Sequence, residues 1–290
     1  MTQTDKIITR FAPSPSGDLH LGHAYSAKLN YDFAMSNGGE FILRIEDIDH
    51  LRCKVEHENG IYLDLHWLGI KWPTPVRRQS EYFDNYASAL KKLSDMGLLY
   101  PCFCTRRNIR EEINESSRAP HLGPKVGPEG MIYPGICQHL TENERQEKMA
   151  AGIPHAMRLN LKKALKLVNE PLYWIDLKTG KQLADPSLMG DVVLARKDFP
   201  TSYHLSVVID DDIQNITHVI RGEDLYYASH FQRLLQHLLG LKTVTYDHHA
   251  LLTTKDGNRL AKRDKSITIK SIRESKARPE EMDALIQDYL

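Results

Sequence analysis

Pro13-Ser14-Pro15-Ser16-Gly17-Asp18-Leu19-His20-Leu21-Gly22-His23 is the stretch that decides how this chain is read. Residues 7–11, Ile-Ile-Thr-Arg-Phe, precede it and have the short β-branched composition of a strand. Residues 22–37 follow with helical composition, and Gly38-Gly39 stops that helix. Residues 41–45 then read as a second strand. Strand, turn, helix, strand is a βαβ unit, which predicts a parallel sheet with its ligand at the strand ends. The quoted loop would lie in that crevice. A helix N-terminus offers unpaired N–H groups and a positive dipole end, so it attracts phosphate. His20 and His23 stand three residues apart on one helical face. There they can donate hydrogen bonds to a phosphate whose charge grows in a transition state. Gly22 has no side chain, so a flat adenine could approach the backbone closely.

Helical patterns cover residues 53–68 and 82–99. Residues 116–135 are rich in Gly, Pro and Ser and read as loop. A helix is expected at 142–151 and a strand near 155–161. Residues 191–195, 205–209 and 217–221 read as strands, and 225–239 as a helix. The division expected is the first half of an α/β domain at 1–100, an insertion at 101–185, the second half at 186–250, and a charged, mostly helical tail at 251–290.

Bulk composition narrows the function classes. The 290 residues carry 38 Lys+Arg and 38 Asp+Glu, a formal net charge of zero, so any RNA contact must rest on a local basic patch. A hydrophobic share of 41% suits a soluble globular core. The N-terminus is polar without a signal-like apolar run, and no stretch approaches the ~20 apolar residues of a membrane span. Four cysteines do not suggest a disulfide scaffold. A cytoplasmic monomer with no membrane partner is the expectation.

His20-Leu21-Gly22-His23 resembles the "HIGH" signature of class I aminoacyl-tRNA synthetases. The segment from Arg10 to Gly17 and the segment from Phe41 to Asp49 resemble blocks of the glutamyl/glutaminyl subgroup. So do Tyr203-His204-Leu205 and the segment from Val219 to Leu225. Gly257-Asn258-Arg259-Leu260-Ala261-Lys262-Arg263 resembles the subgroup's "KMSKS" loop, with Arg259 in place of the first lysine and Ala261 in place of the serine. The resemblance implies a Rossmann-type catalytic domain that forms an aminoacyl-adenylate from ATP with Mg²⁺. It implies catalytic roles for His20, His23 and Lys262, and ATP contacts by His20, Gly22, His23, Arg259, Lys262 and Arg263. A mobile loop with cations can neutralise the leaving pyrophosphate and close over ATP.

The same resemblance assigns L-glutamate recognition to Arg10, Ser14, Glu46, Tyr203 and Arg221. The residue types suit it. Arg10 and Arg221 end predicted strands, and a guanidinium grips a carboxylate. Glu46 could take the ammonium, and Tyr203 supplies a hydroxyl and an apolar wall. Glutamine is the nearest rival substrate.

Cys102, Cys104 and Cys137 flank the Gly/Pro-rich loop. Zinc takes four ligands, usually Cys or His, so a fourth is needed, with Tyr133, His139 and His121 as the candidates. In the short branch of the glutamyl-tRNA synthetases the pattern resembles C-x-C…Y-x3-C, which implies Tyr133 and one structural zinc ion. Only about 25 residues follow the second signature loop, too few for another domain. No anticodon-binding domain is therefore expected. Length and the Cys/Tyr pattern both resemble the short branch. Its members activate glutamate without tRNA and transfer it to the queuosine base of tRNA(Asp). The alternatives are a truncated enzyme charging a tRNA 3′ end and a non-catalytic RNA-binding paralogue.

Overall fold

The computed structural model describes residues 6–116, 126–128, 130–253 and 267–290. Strand β1 (Ile8–Phe11) runs through the Pro-rich loop into α1 (Leu21–Ser36), and β2 (Glu40–Ile45) returns parallel to β1 with Ile8 opposite Glu40. The glycine pair between helix and strand does what its position asks. Gly38 takes φ 63°, and a Cβ on Gly39 would collide with the Ile7 carbonyl. Helix α2 (Val55–Trp67) follows, then the two-residue β3 (Arg77–Arg78), parallel to β2, and α3 (Phe83–Asp95).

The middle of the chain holds β4 (Leu99–Cys102), α4 (Arg106–Ser116) and the minimal pair β5 (Val126–Gly127) and β6 (Gly130–Met131). Next come α5 (Glu142–Ala150), β7 (Ala156–Leu159) and α6 (Leu161–Leu165). The hairpin β8 (Tyr173–Asp176) and β9 (Gly180–Leu183) leads to β10 (Val193–Ala195) and α7 (Tyr203–Ile213). Strand β11 (His218–Gly222), α8 (Ala228–Leu239), β12 (Thr245–His249), α9 (Ile269–Glu274) and α10 (Glu281–Gln287) complete the described elements.

Strands β11, β12 and β8 are parallel neighbours, with β9 antiparallel at the edge. Thr217 N–H donates to the Ile8 carbonyl at 3.0 Å and Ile8 N–H to Thr217 Oγ1 at 2.8 Å, so β1 lies beside β11. The parallel strands thus run β3-β2-β1-β11-β12-β8 across the molecule. Strands β4, β7 and β10 form a separate antiparallel sheet. Strands β8 and β9 fall within the expected insertion at 101–185, yet they pair with β12.

One expectation is overturned. Residues 205–209 are not a strand but part of α7. Val207 and Val208 favour strand composition, but every residue from His204 to Asp211 is buried, so no polar face carries a helical period. Its two buried aspartates, Asp210 and Asp211, tie it to the sheet through arginines described below.

A core beside α1 joins both ends of the sequence. Leu19, Leu21, Ala24 and Ala27 pack in one cluster with Ile269, Ile272, Met282 and Ile286. Each large aliphatic side chain there contributes about 1.5–3 kcal/mol by leaving water.

Candidate active site

A cavity of about 310 Å³ opens where β1 and β11 end and α1 begins. It brings together eight residues expected from sequence: Arg10, Ser14, His20, Gly22, His23, Glu46, Tyr203 and Arg221. Arg259, Lys262 and Arg263 lie outside the described residues. The segments on either side of them reach the site. Leu252 lines the cavity, Leu21 N–H donates to the Ile267 carbonyl at 3.3 Å, and Ile269 N–H donates to the Leu19 carbonyl at 2.8 Å.

The two histidines start α1 by capping it. His20 is the N-cap, and its Nδ1 accepts from Gly22 N–H at 3.1 Å. The His20 N–H in turn donates to Nδ1 of His23 at 3.1 Å, and the rings lie 3.8 Å apart. Each Nδ1 is an acceptor, so each neutral ring carries its proton on Nε2. The cap therefore fixes two N–H donors of known tautomer at a helix N-terminus. Gly22 keeps this compact, because a Cβ there would sit 3.1 Å from His20 Cε1.

Behind Arg10 and Glu46 lies a buried charge network that sequence reading missed. Arg10 Nε donates to Asp211 Oδ1 at 3.2 Å. Arg44, fully buried in β2, donates to Asp211 at 2.8 Å and to Glu46 at 3.1 Å. Asp210 takes Arg77 at 2.8 Å, Gln79 at 2.8 Å and the Tyr86 hydroxyl at 2.8 Å. Burial opposes ionisation of Asp211, but Arg10 and Arg44 outweigh it and hold its carboxyl below the usual range. Burial pushes the Glu46 carboxyl up, against the pull of Arg44 and Arg10. Burial likewise raises the Tyr203 phenol. The signal that could have found this network is a charge inside an apolar run: Arg44 in Phe-Ile-Leu-Arg-Ile, and Asp210-Asp211 after Val-Val-Ile.

Arg221 differs from Arg10. Its five N–H groups meet only neutral partners: His248 Nε2 at 3.2 Å, Gln232 Oε1 at 2.9 Å, Ser229 Oγ at 2.7 Å, the Leu225 carbonyl at 3.1 Å and, at 3.5 Å, the Tyr203 hydroxyl. Its guanidinium also lies 4.9 Å from the centre of the Tyr246 ring. Among the described residues no carboxylate pairs with this buried cation. The long Tyr203 contact is on Nη1, and both residues line the cavity. A carboxylate lodged there would meet the guanidinium and the phenol together.

The model of the class I tRNA synthetases for E and Q, catalytic domain, matches residues 6–287. The chain belongs to this family. Among curated relatives, the glutamyl-Q tRNA(Asp) synthetase of Rhodobacter capsulatus is 42% identical, over 97% of this chain and 99% of its own length. The glutamate–tRNA ligase of Aquifex aeolicus is 38% identical over 95% of this chain, which spans 55% of that protein. Among solved structures, the glutamate–tRNA synthetase of Elizabethkingia anophelis superposes with a TM-score of 0.75 at 29% identity, over 90% of this chain and 53% of that one. Among the described residues no helix is long and apolar enough to cross a membrane.

In this member of the family the three cysteines also converge. The Sγ atoms of Cys102, Cys104 and Cys137 lie within 4.8 Å of one another. Cys102 is placed by β4, and Cys137 by a short 3-10 turn that follows Gly135 at φ 88°. The Tyr133 hydroxyl is 3.4 Å from both Cys102 and Cys104 and accepts from Cys137 N–H at 2.9 Å. Burial, with its two cysteine neighbours adding, pushes the Cys104 thiol up to about 12. Three crowded sulfurs are a donor set suited to a soft divalent cation, which takes them as thiolates. His139 is described, but its ring is not in this cluster, and His121 lies outside the described residues.

Proposed function

We propose that this protein forms glutamyl-adenylate from L-glutamate and ATP without needing tRNA. It then transfers the glutamyl group to the queuosine base of tRNA(Asp). The observation that carries the glutamate reading is Arg221, a buried guanidinium at a cavity wall with neutral partners only. An uncompensated buried cation is costly unless a ligand brings the anion. Arg10 lines the same cavity, and Glu46 supplies the carboxylate that a ligand ammonium needs. Ser14 and Tyr203 add hydroxyls.

The α-carboxylate of glutamate attacks the α-phosphorus of ATP and pyrophosphate leaves. The Nε2–H groups of His20 and His23 stabilise charge growing on the phosphate, and Gly22 gives the nucleotide room at the helix start. Lys262 is assigned to the leaving pyrophosphate, with Arg259 and Arg263 beside it in the chain. Mg²⁺ that accompanies ATP shares that charge. The protein contributes position and electrostatics.

The acceptor rests on likeness. The relative with near-complete mutual coverage is a glutamyl-Q tRNA(Asp) synthetase, whereas the chain spans about half of the Aquifex charging enzyme. Cys102, Cys104, Cys137 and Tyr133 are assigned to one structural zinc ion, which would pin a segment that buries little apolar surface. The catalytic domain is thereby read as interrupted by this metal-pinned insertion.

Glutamate-dependent ATP–pyrophosphate exchange without RNA tests the first step, and labelled glutamate with tRNA(Asp), with and without queuosine, tests the second. Exchange with glutamate and not glutamine, and label only on queuosine-bearing tRNA, is expected. Exchange only with tRNA(Glu) present, with label at a 3′ end, would replace this reading by the charging enzyme.

A further inference from the structure

Three neighbouring strands carry a line of hydrogen bonds that ends on Arg221. The β11–β12 register sets Arg221 opposite His248, and β8 lies on the other side of β12, with Asp176 opposite Tyr246. Asp176 Oδ2 is 2.7 Å from His248 Nδ1, and His248 Nε2 is 3.2 Å from Arg221 Nε. All three side chains are deeply buried, at 1%, 6% and 5% exposure.

The proton positions follow from the partners. A carboxylate only accepts here, so His248 carries its proton on Nδ1 and keeps a lone pair on Nε2. Arginine nitrogens only donate, so Arg221 Nε needs that lone pair. The other tautomer would set N–H against N–H. Burial and Arg221 hold the His248 pKa down at about 4, so the ring stays neutral at physiological pH. Asp176 itself is anchored by its other oxygen. Oδ1 accepts from Lys178 N–H at 2.9 Å and Thr179 N–H at 3.0 Å in the β8–β9 turn.

We propose that Asp176 and His248 are positioning residues for glutamate binding: Asp176 fixes the His248 tautomer, and His248 holds Arg221 by Nε so that its Nη1 edge is presented to Tyr203 and the cavity. This rests on the assignment of Arg221 to the glutamate site. Neither residue touches substrate. Both act through the angle of one guanidinium plane, which a bound carboxylate reads geometrically.

The test exploits the two oxygens of Asp176. Asp176→Asn keeps an oxygen for the turn and puts an NH2 donor against His248 Nδ1, which forces Nε2–H toward Arg221. His248→Gln offers Arg221 an amide oxygen that needs no tautomer. In pyrophosphate exchange, Asp176→Asn is expected to raise the glutamate KM about tenfold, the worth of one charged hydrogen bond, with kcat and the ATP KM within about threefold. His248→Gln should stay near wild type, and Asp176→Asn with His248→Gln should match His248→Gln alone. Arg221→Met serves as the reference and should raise the glutamate KM more than either. If Asp176→Asn moves kcat and both KM values together, or adds its full effect on top of His248→Gln, Asp176 merely holds the turn and the proposal fails. If Arg221→Met raises the glutamate KM while Asp176→Asn leaves it unmoved, the relay is wrong and the glutamate site stands. If Arg221→Met itself leaves it unmoved, both fall.

Discussion

Arg221→Met separates binding from stability in a way few substitutions can. Removing the guanidinium strips donors from Gln232 Oε1, Ser229 Oγ, the Leu225 carbonyl and His248 Nε2. Buried acceptors left unmade cost about 1–3 kcal/mol each. Against this, the variant no longer buries a cation with no carboxylate partner, a penalty of several kcal/mol. Ser229 and His248 also lie 3.3 Å apart and can recover a bond with each other. The terms oppose, so the net stability change should stay within about 2 kcal/mol, a melting shift of under ~8 °C at this chain length. Glutamate loses a charge-assisted hydrogen bond and the attraction of the cation, together about 3 kcal/mol or more. The glutamate KM in pyrophosphate exchange should therefore rise at least about a hundredfold in a protein that still melts cooperatively. A glutamate KM within about twofold of wild type, with a melting point lowered by more than ~10 °C, would make Arg221 a structural cation and remove the main support for glutamate.

His248 should leave a signature in the pH dependence of stability. Burial and Arg221 depress its pKa from 6.5 to about 4, against the opposing pull of Asp176 and Asp247. The unfolded chain therefore binds the extra proton first. The contribution, on the order of 3 kcal/mol, is complete above about pH 6.5 and is lost as pH falls toward 4. Urea midpoints measured across that window should flatten in His248→Gln relative to wild type, while His230 and His249, whose burial also lowers their pKa, contribute in both. His23→Ala should lower the exchange rate about 10²–10³-fold with the glutamate KM unchanged, since it removes a phosphate donor and leaves the amino-acid wall intact. Purified protein should contain one equivalent of zinc by elemental analysis, and Cys104→Ser or prolonged chelation should release it and lower the melting temperature. Retention of a full equivalent after Cys104→Ser would exclude this cluster as the site.

The candidate cleft is the part of the molecule that sequence marks most clearly. A Pro/Ser/Gly loop runs into two histidines at a helix start, where strand ends meet, and all eight described residues expected at the site line one cavity. What supports that cleft was not legible. Helix α7 was mistaken for a strand because it is buried on every side, which erases the periodicity that tells the two apart. Strand β12, Thr-Tyr-Asp-His-His, has a sequence that does not read as a central strand, because His248 is satisfied by Asp176 and Arg221, both more than 20 residues away. Arg44 and Asp211 stand out in sequence as charges in apolar runs, but their pairing shows only when α7 and β2 are brought together. Local pattern reveals side chains that line an open cleft. Side chains that face one another across the fold need the coordinates.

The paired segments 19–21 and 267–269 carry a consequence for synthesis of the protein. Their backbone bonds join residues from nearly opposite ends of the sequence, and the apolar cluster beneath them needs Ile269, Ile272, Met282 and Ile286 to be complete. A ribosome delivers the signature histidines early, but the segment that bonds to their loop emerges only once residues 267–269 have been made. That end of the cleft is thus completed late, and a nascent chain lacking residue 267 onward carries the histidines without the segment that holds Leu19 and Leu21.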